Sequence, residues 1–468
     1  MRTSAYTGPL PVRLPDGSRL ELGTATASYQ IEGAVAEDGR GPSIWDTFTE
    51  RPGAVRDASS GETACDSYHR WREDADLVAG LGVEWYRFSI AWPRVVPAGT
   101  GAVEPRGLDY YDRLVDGLLE RGVKPTATLY HWDLPQPLED AGGWLVRETA
   151  EAFADYAAVV AERLGDRVGA WATLNEPWCA AYLGYAAGVH APGRREGGAA
   201  HRAAHHLMLG HALAAERLRA AGPCDVGVVL NLAPIWPETV GDPAADAVTD
   251  AIDALRNRVW LDPLVDGAYD EGLLAVAPEL GDTDLVRPGD LEAVKGSADW
   301  VGLNYYTPVR PTPAAGGAAH PEGGAYPGAP AFDLVVREPI TDIGWEIDAS
   351  GLEELVRTTA ERTGLPVLVM ENGAAMADAK VADNVVDGVV DDQDRVAYLR
   401  DHLAATRAAR DAGADVRAYV VWTLLDNFEW AEGYTKTFGL VHIDSSDQAR
   451  TPKASYHWVA EVAREARG

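Results

Sequence analysis

The sequence predicts an α/β fold, a single (β/α)8 TIM barrel that spans residues 1–468 and has elaborated loops at its C-terminal face. Three observations lead to this prediction. Eight short apolar runs occur along the chain, helical patterns alternate with them, and no linker or internal repeat divides the sequence. Alternating βα units indicate a parallel sheet. We expect that sheet to close into a barrel, because the GxGxxG fingerprint of an open dinucleotide-binding sheet is absent.

Each candidate strand is a short run rich in β-branched residues, followed by a loop and then by an amphipathic helix. In chain order the eight runs are Leu20–Thr24, Val83–Ser89, Lys124–Tyr130, Val168–Asn175, Val226–Asn231, Trp300–Asn304, Pro366–Glu371 and Arg417–Thr423. Eight such units are the number that a closed (β/α)8 barrel requires.

The helices are indicated by apolar residues that recur with a period near 3.6. This spacing occurs at Ala64, Tyr68, Trp71, Ala75 and Val78, at Leu108, Tyr111, Leu114, Val115 and Leu118, and at Val396, Leu399 and Leu403. Ser350 followed by Glu353 has the form of a capping box, which predicts the start of a helix before the seventh strand. Pro311–Ala331 is rich in Gly, Pro and Ala, and is predicted to be a rim loop that forms either a surface excursion or a wall of a cleft.

The composition restricts the class of partner. The formal net charge is −31 and the sequence pI about 4.6, which argues against nucleic acid or an anionic membrane as a partner and disfavours a polyphosphorylated substrate. No run of about 18 apolar residues occurs, and the N-terminal segment lacks the apolar core of a secretory signal. Three cysteines are too few for a disulfide framework. We therefore expect a cytoplasmic protein.

Polar or large aromatic side chains stand at the ends of six of the eight predicted strands or directly after them. They are Arg87, His131, Asn175, Glu176, Asn304, Glu371 and Trp422. A charged group at the end of a barrel strand is costly unless it faces a cleft. In (β/α)8 barrels the C-terminal ends of the strands meet at one rim, where active sites are built. So many such residues predict an active site at that rim.

Two carboxylates are the most informative members of this set. Glu176 and Glu371 follow the fourth and end the seventh predicted strands, on opposite sides of the barrel mouth. A single glutamate in such a position is as often a salt-bridged support as a catalytic group. Two facing carboxyl groups about 5–5.5 Å apart are what a retaining, double-displacement glycosidase needs, one to attack the anomeric carbon and one to protonate the departing oxygen.

The residues around both carboxylates resemble the acid/base and nucleophile motifs of glycoside hydrolase family 1. The two motifs are Thr173–Pro177 (TLNEP) and Met370–Gly373 (MENG). Further matches cover nearly the whole chain, and they lie at Ala25–Gly33, Tyr86–Arg94, Tyr130–Pro135, Asn304–Tyr306, Trp422–Trp430 and Phe438–Leu440. The resemblance implies a (β/α)8 barrel enzyme that hydrolyses terminal non-reducing β-D-glucosyl residues, with β-galactosides and β-fucosides as further possible substrates.

The resemblance also implies a role for individual residues. Glu371 is expected to be the nucleophile and Glu176 the general acid that then acts as general base. Arg87, Tyr306 and Asn304 are expected to support them, and a cation and a phenol donor beside Glu371 favour its ionised form. The non-reducing sugar is expected to contact Gln30, His131, Asn175, Trp422, Glu429 and Trp430, with Trp422 as the stacking floor. The leaving group is expected to lie near Trp178, Leu183 and Trp345.

Other interpretations are considered beside this one. In a 6-phospho-β-glycosidase of the same family a smaller residue replaces Glu429, whose charge here opposes a 6-phosphate. A glycan-binding relative without activity typically lacks one of the two carboxylates, and a transglycosylase uses the same residues as a hydrolase. Only small β-glucosides or oligosaccharides are expected as partners, and the sequence does not indicate an oligomeric state.

No cofactor and no metal are expected. The histidines at 201, 205, 206 and 211 include an i, i+4 pair that could bind zinc, but HExxH is absent. Cys179 has no partner base in the sequence and is expected to be a packed thiol.

Overall fold

The computed structural model describes residues 11–314, 324–377, 385–386 and 389–467. Eight parallel strands form a closed barrel in which each strand pairs with its neighbours in the chain and the first pairs with the last. We number them β1 (Glu21–Ala25), β2 (Trp85–Ser89), β3 (Lys124–Tyr130), β4 (Ala170–Asn175), β5 (Asp225–Leu230), β6 (Trp300–Asn304), β7 (Val367–Asn372) and β8 (Val416–Trp422). The predicted fold class and the eight predicted strands are confirmed.

The barrel closes through β1. Ala25 at its end is the register partner of Arg87 in β2 and of Trp422 in β8. The same edge of the barrel brings Asn304 of β6 beside Glu371 of β7. The C-terminal ends of strands that are distant in sequence therefore meet at one rim.

Helices and single helical turns lie between the strands. Their bounds are Ser28–Ile31, Ile44–Thr49, Ser67–Leu81, Trp92–Val95, Pro105–Glu120, Gln136–Asp140, Gly143–Leu145, Arg147–Leu164, Cys179–Ala187, Gly197–Ala199, Ala200–Ala221, Pro243–Asp253, Ala254–Arg258, Val259–Val265, Glu271–Val276, Pro278–Gly281, Asp290–Val294, Ala349–Thr363, Gln393–Asp411, Trp430–Glu432 and Ala454–Arg467. Cys179–Ala187 and Ala254–Arg258 are π-helical. π-Helical turns are frequent at functional sites, and both of these follow a barrel strand on the C-terminal side.

The predicted capping box at Ser350 and Glu353 is wrong. The helix Ala349–Thr363 has Asp348 as its N-cap, and the side chain of Asp348 accepts hydrogen bonds from the backbone N–H and the hydroxyl of Ser350. Asp and Ser are comparable capping residues, and here the upstream residue, Asp348, takes the position. Ser350 lies inside the first turn instead.

The interior of the barrel is filled by its own small core. Ala172, Val229, Trp300, Leu368, Met370 and Val420 belong to this inner cluster. Trp300 requires a glycine opposite it, since a Cβ at Gly227 would lie 2.3 Å from the indole ring. A larger apolar cluster, between the strands and the outer helices, contains most of the remaining buried residues. The filled interior confines ligand binding to the rim.

Among the described residues, three two-stranded sheets lie outside the barrel. They pair Pro311–Pro313 with Phe332–Leu334, Val385–Val386 with Val389–Val390, and Val441–Ile443 with Arg450–Pro452. The first of them closes the loop predicted at Pro311–Ala331, of which residues 315–323 lie outside the described residues. Within the described ranges, no helix combines the length and apolar character that crossing a membrane requires.

Candidate active site

The centre of the site is the carboxylate of Glu371, near the end of β7. The side chain is almost fully buried, with 3% of its residue surface exposed. Its Oε1 accepts a hydrogen bond from Nη1 of Arg87 at 2.5 Å, and its Oε2 accepts one from the hydroxyl of Tyr306 at 2.6 Å. A guanidinium and a phenol thus hold the two oxygens of this carboxylate in a fixed orientation.

The second carboxyl group, that of Glu176, follows directly after β4. Its Oε1 accepts from Nδ2 of Asn304 at 2.6 Å, and its Oε2 accepts from the thiol of Cys179 at 3.1 Å. The backbone of Glu176 has φ +45°, a region that non-glycine residues rarely adopt. Such strain persists only where surrounding contacts fix it, and it is concentrated at functional sites.

Asn175 connects the two carboxyl groups. Its Oδ1 accepts from Nη2 of Arg87 at 2.6 Å and from Nδ2 of Asn304 at 3.0 Å. Arg87 in turn donates to Glu371, and Asn304 donates to Glu176. A continuous chain of hydrogen bonds therefore runs from one carboxyl group to the other.

Burial is the main cause of the electrostatic character of both groups. It raises the pKa of Glu176, while the bonds from Asn304 and Cys179 lower it in part. Burial also raises the pKa of Glu371 to about 7, with a further increase from the charge of Glu176 and a decrease from Arg87 and Tyr306. Two like charges in one site resist joint ionisation. Because Arg87 and Tyr306 donate hydrogen bonds to Glu371 but not to Glu176, the first negative charge of the pair is expected on Glu371.

The predicted sugar-binding residues lie on one side of this pair. His131 follows β3, and its Nε2 lies 3.1 Å from Nδ2 of Asn175. Burial lowers the pKa of His131 well below its usual value, so the imidazole is neutral and Nε2 accepts from Asn175. Its Nδ1 then carries the proton and has no hydrogen-bond partner among the described residues. Oε1 of Gln30 is buried and likewise without a partner in that part of the chain.

Aromatic rings surround these unpaired groups. Trp422 and Trp430 both lie nearly parallel to the His131 ring, with centroids 5.9 and 6.0 Å away. Trp430 has φ +44° and packs at 4.5 Å against Trp132, which itself has φ +76°. Flat apolar faces of this kind suit the faces of sugar rings, while the unpaired polar atoms suit their hydroxyls.

Glu429 is the remaining member of the predicted sugar pocket. Its carboxylate makes no hydrogen bond with the described residues, whereas its backbone N–H donates to the carbonyl of Gly433 at 2.8 Å. Burial and the charges of Glu371 and Glu176 raise the pKa of Glu429 to about 8. A carboxyl group in this state is available to a polar ligand.

The residues predicted for the leaving group lie on three different segments of the chain. Trp178 begins the turn after it and packs at 5.3 Å against Tyr326, so the rim loop contributes a wall here. Leu183 lies partly buried in the π-helix Cys179–Ala187. Trp345 is 5.3 Å from the ring of Tyr306, which places it close to Glu371. The structure therefore places Trp178 and Trp345 near the carboxyl pair, while a leaving-group role for these two residues and for Leu183 stays a prediction.

Several contacts were not predicted. Cys179 is buried, as expected for a packed thiol, and the turn after β4 lets this thiol donate a hydrogen bond to Oε2 of Glu176, three residues earlier. Asn231 donates to the Cys179 sulfur at 3.2 Å, Asn427 accepts from Gln30 at 3.1 Å, and Thr128 accepts from Nε of Arg87 at 3.0 Å. Thr128 lies near the C-terminal end of β3, and Asn231 directly follows β5. The search for polar residues at strand ends could therefore have found both.

The four histidines of the helix Ala200–Ala221 have separate partners. His205 contacts Asp290 at 3.1 Å, His206 the carbonyl of Trp144 at 2.9 Å, and His211 the hydroxyl of Thr173 at 2.6 Å. His201 contacts the hydroxyl of Tyr182 at 3.0 Å. Across the described ranges, no group of three or more His, Cys, Asp or Glu side chains is arranged to hold a metal ion.

A closed (β/α)8 barrel with two buried carboxyl groups at its C-terminal rim, beside a pocket of aromatic rings and unpaired polar atoms, has the architecture of a glycoside hydrolase. The chain belongs to glycosyl hydrolase family 1, whose model matches residues 17–467. A bifunctional β-D-glucosidase/β-D-fucosidase of Bifidobacterium breve is 47% identical over 449 residues, which cover 93% of this chain and 95% of that protein.

Solved structures agree with this assignment. The psychrophilic β-glucosidase BglU from Micrococcus antarcticus superposes with a TM-score of 0.91 at 42% identity, covering 96% of this chain and 97% of that chain. A β-glucosidase from Thermotoga maritima in complex with deoxynojirimycin has a TM-score of 0.88 at 40% identity, with 97% of this chain and 99% of that chain covered.

Proposed function

We propose that the protein is a β-glucosidase that hydrolyses terminal non-reducing β-D-glucosyl residues with retention, and that it also accepts β-fucosides or β-galactosides. The observation that carries this proposal is the hydrogen-bond chain Glu371–Arg87–Asn175–Asn304–Glu176. It fixes two carboxyl groups from opposite sides of the barrel relative to each other. A retaining glycosidase needs this arrangement for two displacements at one carbon.

In the proposed first step, the carboxylate of Glu371 attacks the anomeric carbon and Glu176 protonates the departing oxygen. The bonds from Arg87 and Tyr306 support the ionised form of Glu371. Burial supports the protonated form of Glu176, since burial raises the pKa of this carboxyl group. The products are a glycosyl ester of Glu371 and the free aglycone alcohol.

In the proposed second step, Glu176 removes a proton from water, which attacks the same carbon and releases the sugar and free Glu371. Esterification removes the negative charge of Glu371, so the pKa of Glu176 falls and the group becomes a base. One residue thus serves as acid and then as base.

The sugar pocket supports a neutral glucoside as the substrate. The Nδ1 proton of His131, Oε1 of Gln30 and the carboxylate of Glu429 are polar groups without partners in the described residues, which hydroxyl groups of a sugar can satisfy. Glu429 disfavours the 6-phospho-β-glycosidase alternative, because it adds a carboxyl group where a phosphate needs cations. The presence of both Glu176 and Glu371 disfavours a glycan-binding relative without activity.

We further propose one catalytic domain over residues 1–468, a cytoplasmic location, and small β-glucosides or oligosaccharides, such as fragments of cellulose, as substrates. Pairing of β1 with β8 supports the single domain, since the barrel needs both ends of the chain. The free cysteines Cys65, Cys179 and Cys224 support a reducing compartment.

The first experiment compares p-nitrophenyl β-glucoside with its 6-phosphate, with and without a chelator. We expect rapid release from the unphosphorylated glucoside alone, unaffected by the chelator. Release from the phosphate alone would contradict the role given to Glu429, and no release from either would favour a binding protein. Proton NMR of the first-formed sugar then tests retention, since the β-anomer must precede the α-anomer.

A further inference from the structure

Arg256 is a cation beside the acid/base residue that the mechanism above does not use. It lies in the π-helix Ala254–Arg258, after β5, and its guanidinium carbon is 3.9 Å from the centre of the Trp178 ring. Trp178 belongs to the same turn as Glu176. Arg256 is therefore placed beside the turn that carries Glu176 and Trp178, the latter predicted to contact the leaving group.

The guanidinium of Arg256 has no acidic partner in the part of the chain that the structure describes. Its Nε is buried and has no hydrogen-bond partner among the described residues. The guanidinium packs on the Trp178 ring, and it forms no ion pair with a carboxylate of those residues. Neighbouring Arg258, in contrast, forms ion pairs with Asp250, Asp253 and Asp270. In a chain with a formal net charge of −31, a partly buried arginine without a counter-ion is unusual.

The other cation of the site is already engaged. Arg87 donates to Glu371 and to Asn175, so its charge is compensated. Burial raises the pKa of Glu176, and the positive charge of Arg256 is among the effects that oppose this rise. A negatively charged leaving group would meet repulsion from the carboxylate of Glu371, and Arg256 is the group in position to offset it.

We propose that Arg256 is a specificity-determining residue that selects β-glucosides whose aglycone carries a carboxylate. An arginine fork pairs with a carboxylate through two parallel hydrogen bonds. Trp178 beneath it offers an aromatic face to the remainder of the aglycone. This inference rests on the proposed β-glucosidase activity and adds the charge of the aglycone to it.

The test measures kcat/KM for 4-carboxyphenyl β-glucoside and for its carboxamide, 4-carbamoylphenyl β-glucoside. The two aglycones differ in acidity as well as in charge, and both differences affect the ratio of the two kcat/KM values in any one protein. The acidity difference is the same for every variant, so it cancels when this ratio is compared between variants. In Arg256→Gln we expect the carboxylate/carboxamide ratio to fall by about 10- to 100-fold, the value of one charge-assisted hydrogen-bonded pair. Arg256→Lys keeps the charge without the fork, and its carboxylate/carboxamide ratio should lie between that of the unchanged protein and that of Arg256→Gln.

Controls separate this proposal from its rivals. Arg357→Gln removes one positive charge from the exposed face of the helix Ala349–Thr363, and its ratio should equal that of the unchanged protein. If Arg256→Gln lowers both kcat/KM values by the same factor and shifts the basic limb of both pH profiles equally, Arg256 only tunes Glu176 and the proposal is overturned. An unchanged ratio also overturns it. Failure of the unchanged protein to cleave the neutral carboxamide glucoside would instead contradict the proposed β-glucosidase activity.

Discussion

Arg87 and Glu371 form a buried ion pair with Nη1 and Oε1 2.5 Å apart, and the same guanidinium donates to Asn175 through Nη2 at 2.6 Å. One planar fork thus orients both the proposed nucleophile and an amide of the sugar pocket. Since a guanidinium is rigid, movement of one of these groups is coupled to movement of the other.

This relationship predicts the effect of Arg87→Lys. An ammonium group keeps the charge but cannot reproduce the two directions of the fork, so Oδ1 of Asn175 keeps the donor from Asn304 and loses the one from residue 87. We expect kcat/KM on p-nitrophenyl β-glucoside to fall about 100-fold. Because Arg87 lowers the pKa of Glu371, a weaker pair raises that pKa, and the acidic limb of the kcat/KM profile should move to higher pH. An acidic limb that moves to lower pH would contradict this account.

Glu371→Ala should abolish turnover, because no other described side chain is placed to attack from the same position. Added azide, small enough for the space left by the carboxylate, should restore part of the activity and give the α-glucosyl azide, the inverted product. Product anomers are measured by NMR. Glu361→Ala, at an exposed position of the helix Ala349–Thr363, serves as a control that azide should not affect. Full activity of Glu371→Ala without azide would show that another group is the nucleophile.

Glu176→Ala should separate substrates by their leaving groups. Formation of the glycosyl ester needs an acid only when the departing oxygen is basic, so 2,4-dinitrophenyl β-glucoside should retain far more of its first-step rate than an alkyl glucoside. Pre-steady-state release of the phenol measures that step. We expect a loss of about 1000-fold on the alkyl glucoside. An equal loss on both substrates would exclude the acid role.

The sequence predicted the barrel well because strand patterns and strand ends carry local information. The bounds of β3 and β6 coincide with the predicted runs. Position at a strand end marked Glu176 and Glu371 as candidates, and the motifs around them decided the prediction. The helix start at Asp348 was missed, since two good capping residues compete there. Local preference does not decide between them.

Other parts of the site depend on tertiary contacts. Glu429 was predicted only through the family resemblance, because the loop that carries it has no regular spacing of apolar residues. This loop is held by a residue distant in sequence, since Nζ of Lys453 donates to Oδ1 of Asp426 at 2.8 Å. Nothing in the sequence indicated a role for Arg256, because this residue lies in the long segment after β5 and not at a strand end. Only its contact with Trp178 in the structure places it beside the site.

Glu429→Gln should lower activity on glucosides. The substitution replaces one carboxyl oxygen of residue 429 by an amide NH2 group, which donates hydrogen bonds and cannot accept them. Hydroxyl groups of the bound sugar are then imperfectly paired, which costs several kcal/mol in transition-state binding. We expect kcat/KM to fall about 100- to 1000-fold, and the loss should be smaller on a xyloside, which lacks the 6-hydroxyl. Steady-state kinetics on matched p-nitrophenyl glycosides measure both. A larger loss on the xyloside would contradict the role given to Glu429.

The same substitution should stabilise the fold, and more so at alkaline pH. Burial and the charges of Glu371 and Glu176 raise the pKa of Glu429 to about 8, so the folded state holds this proton more tightly than the unfolded state does. Its contribution to the free energy of unfolding is therefore present below about pH 4.5 and is lost as the pH rises through about 8. Thermal unfolding should show Glu429→Gln gaining about 1–2 kcal/mol more over the unchanged protein at about pH 8.5 than at about pH 5. Exposed Glu361→Gln should show no such difference. A larger gain at the lower pH would contradict the raised pKa.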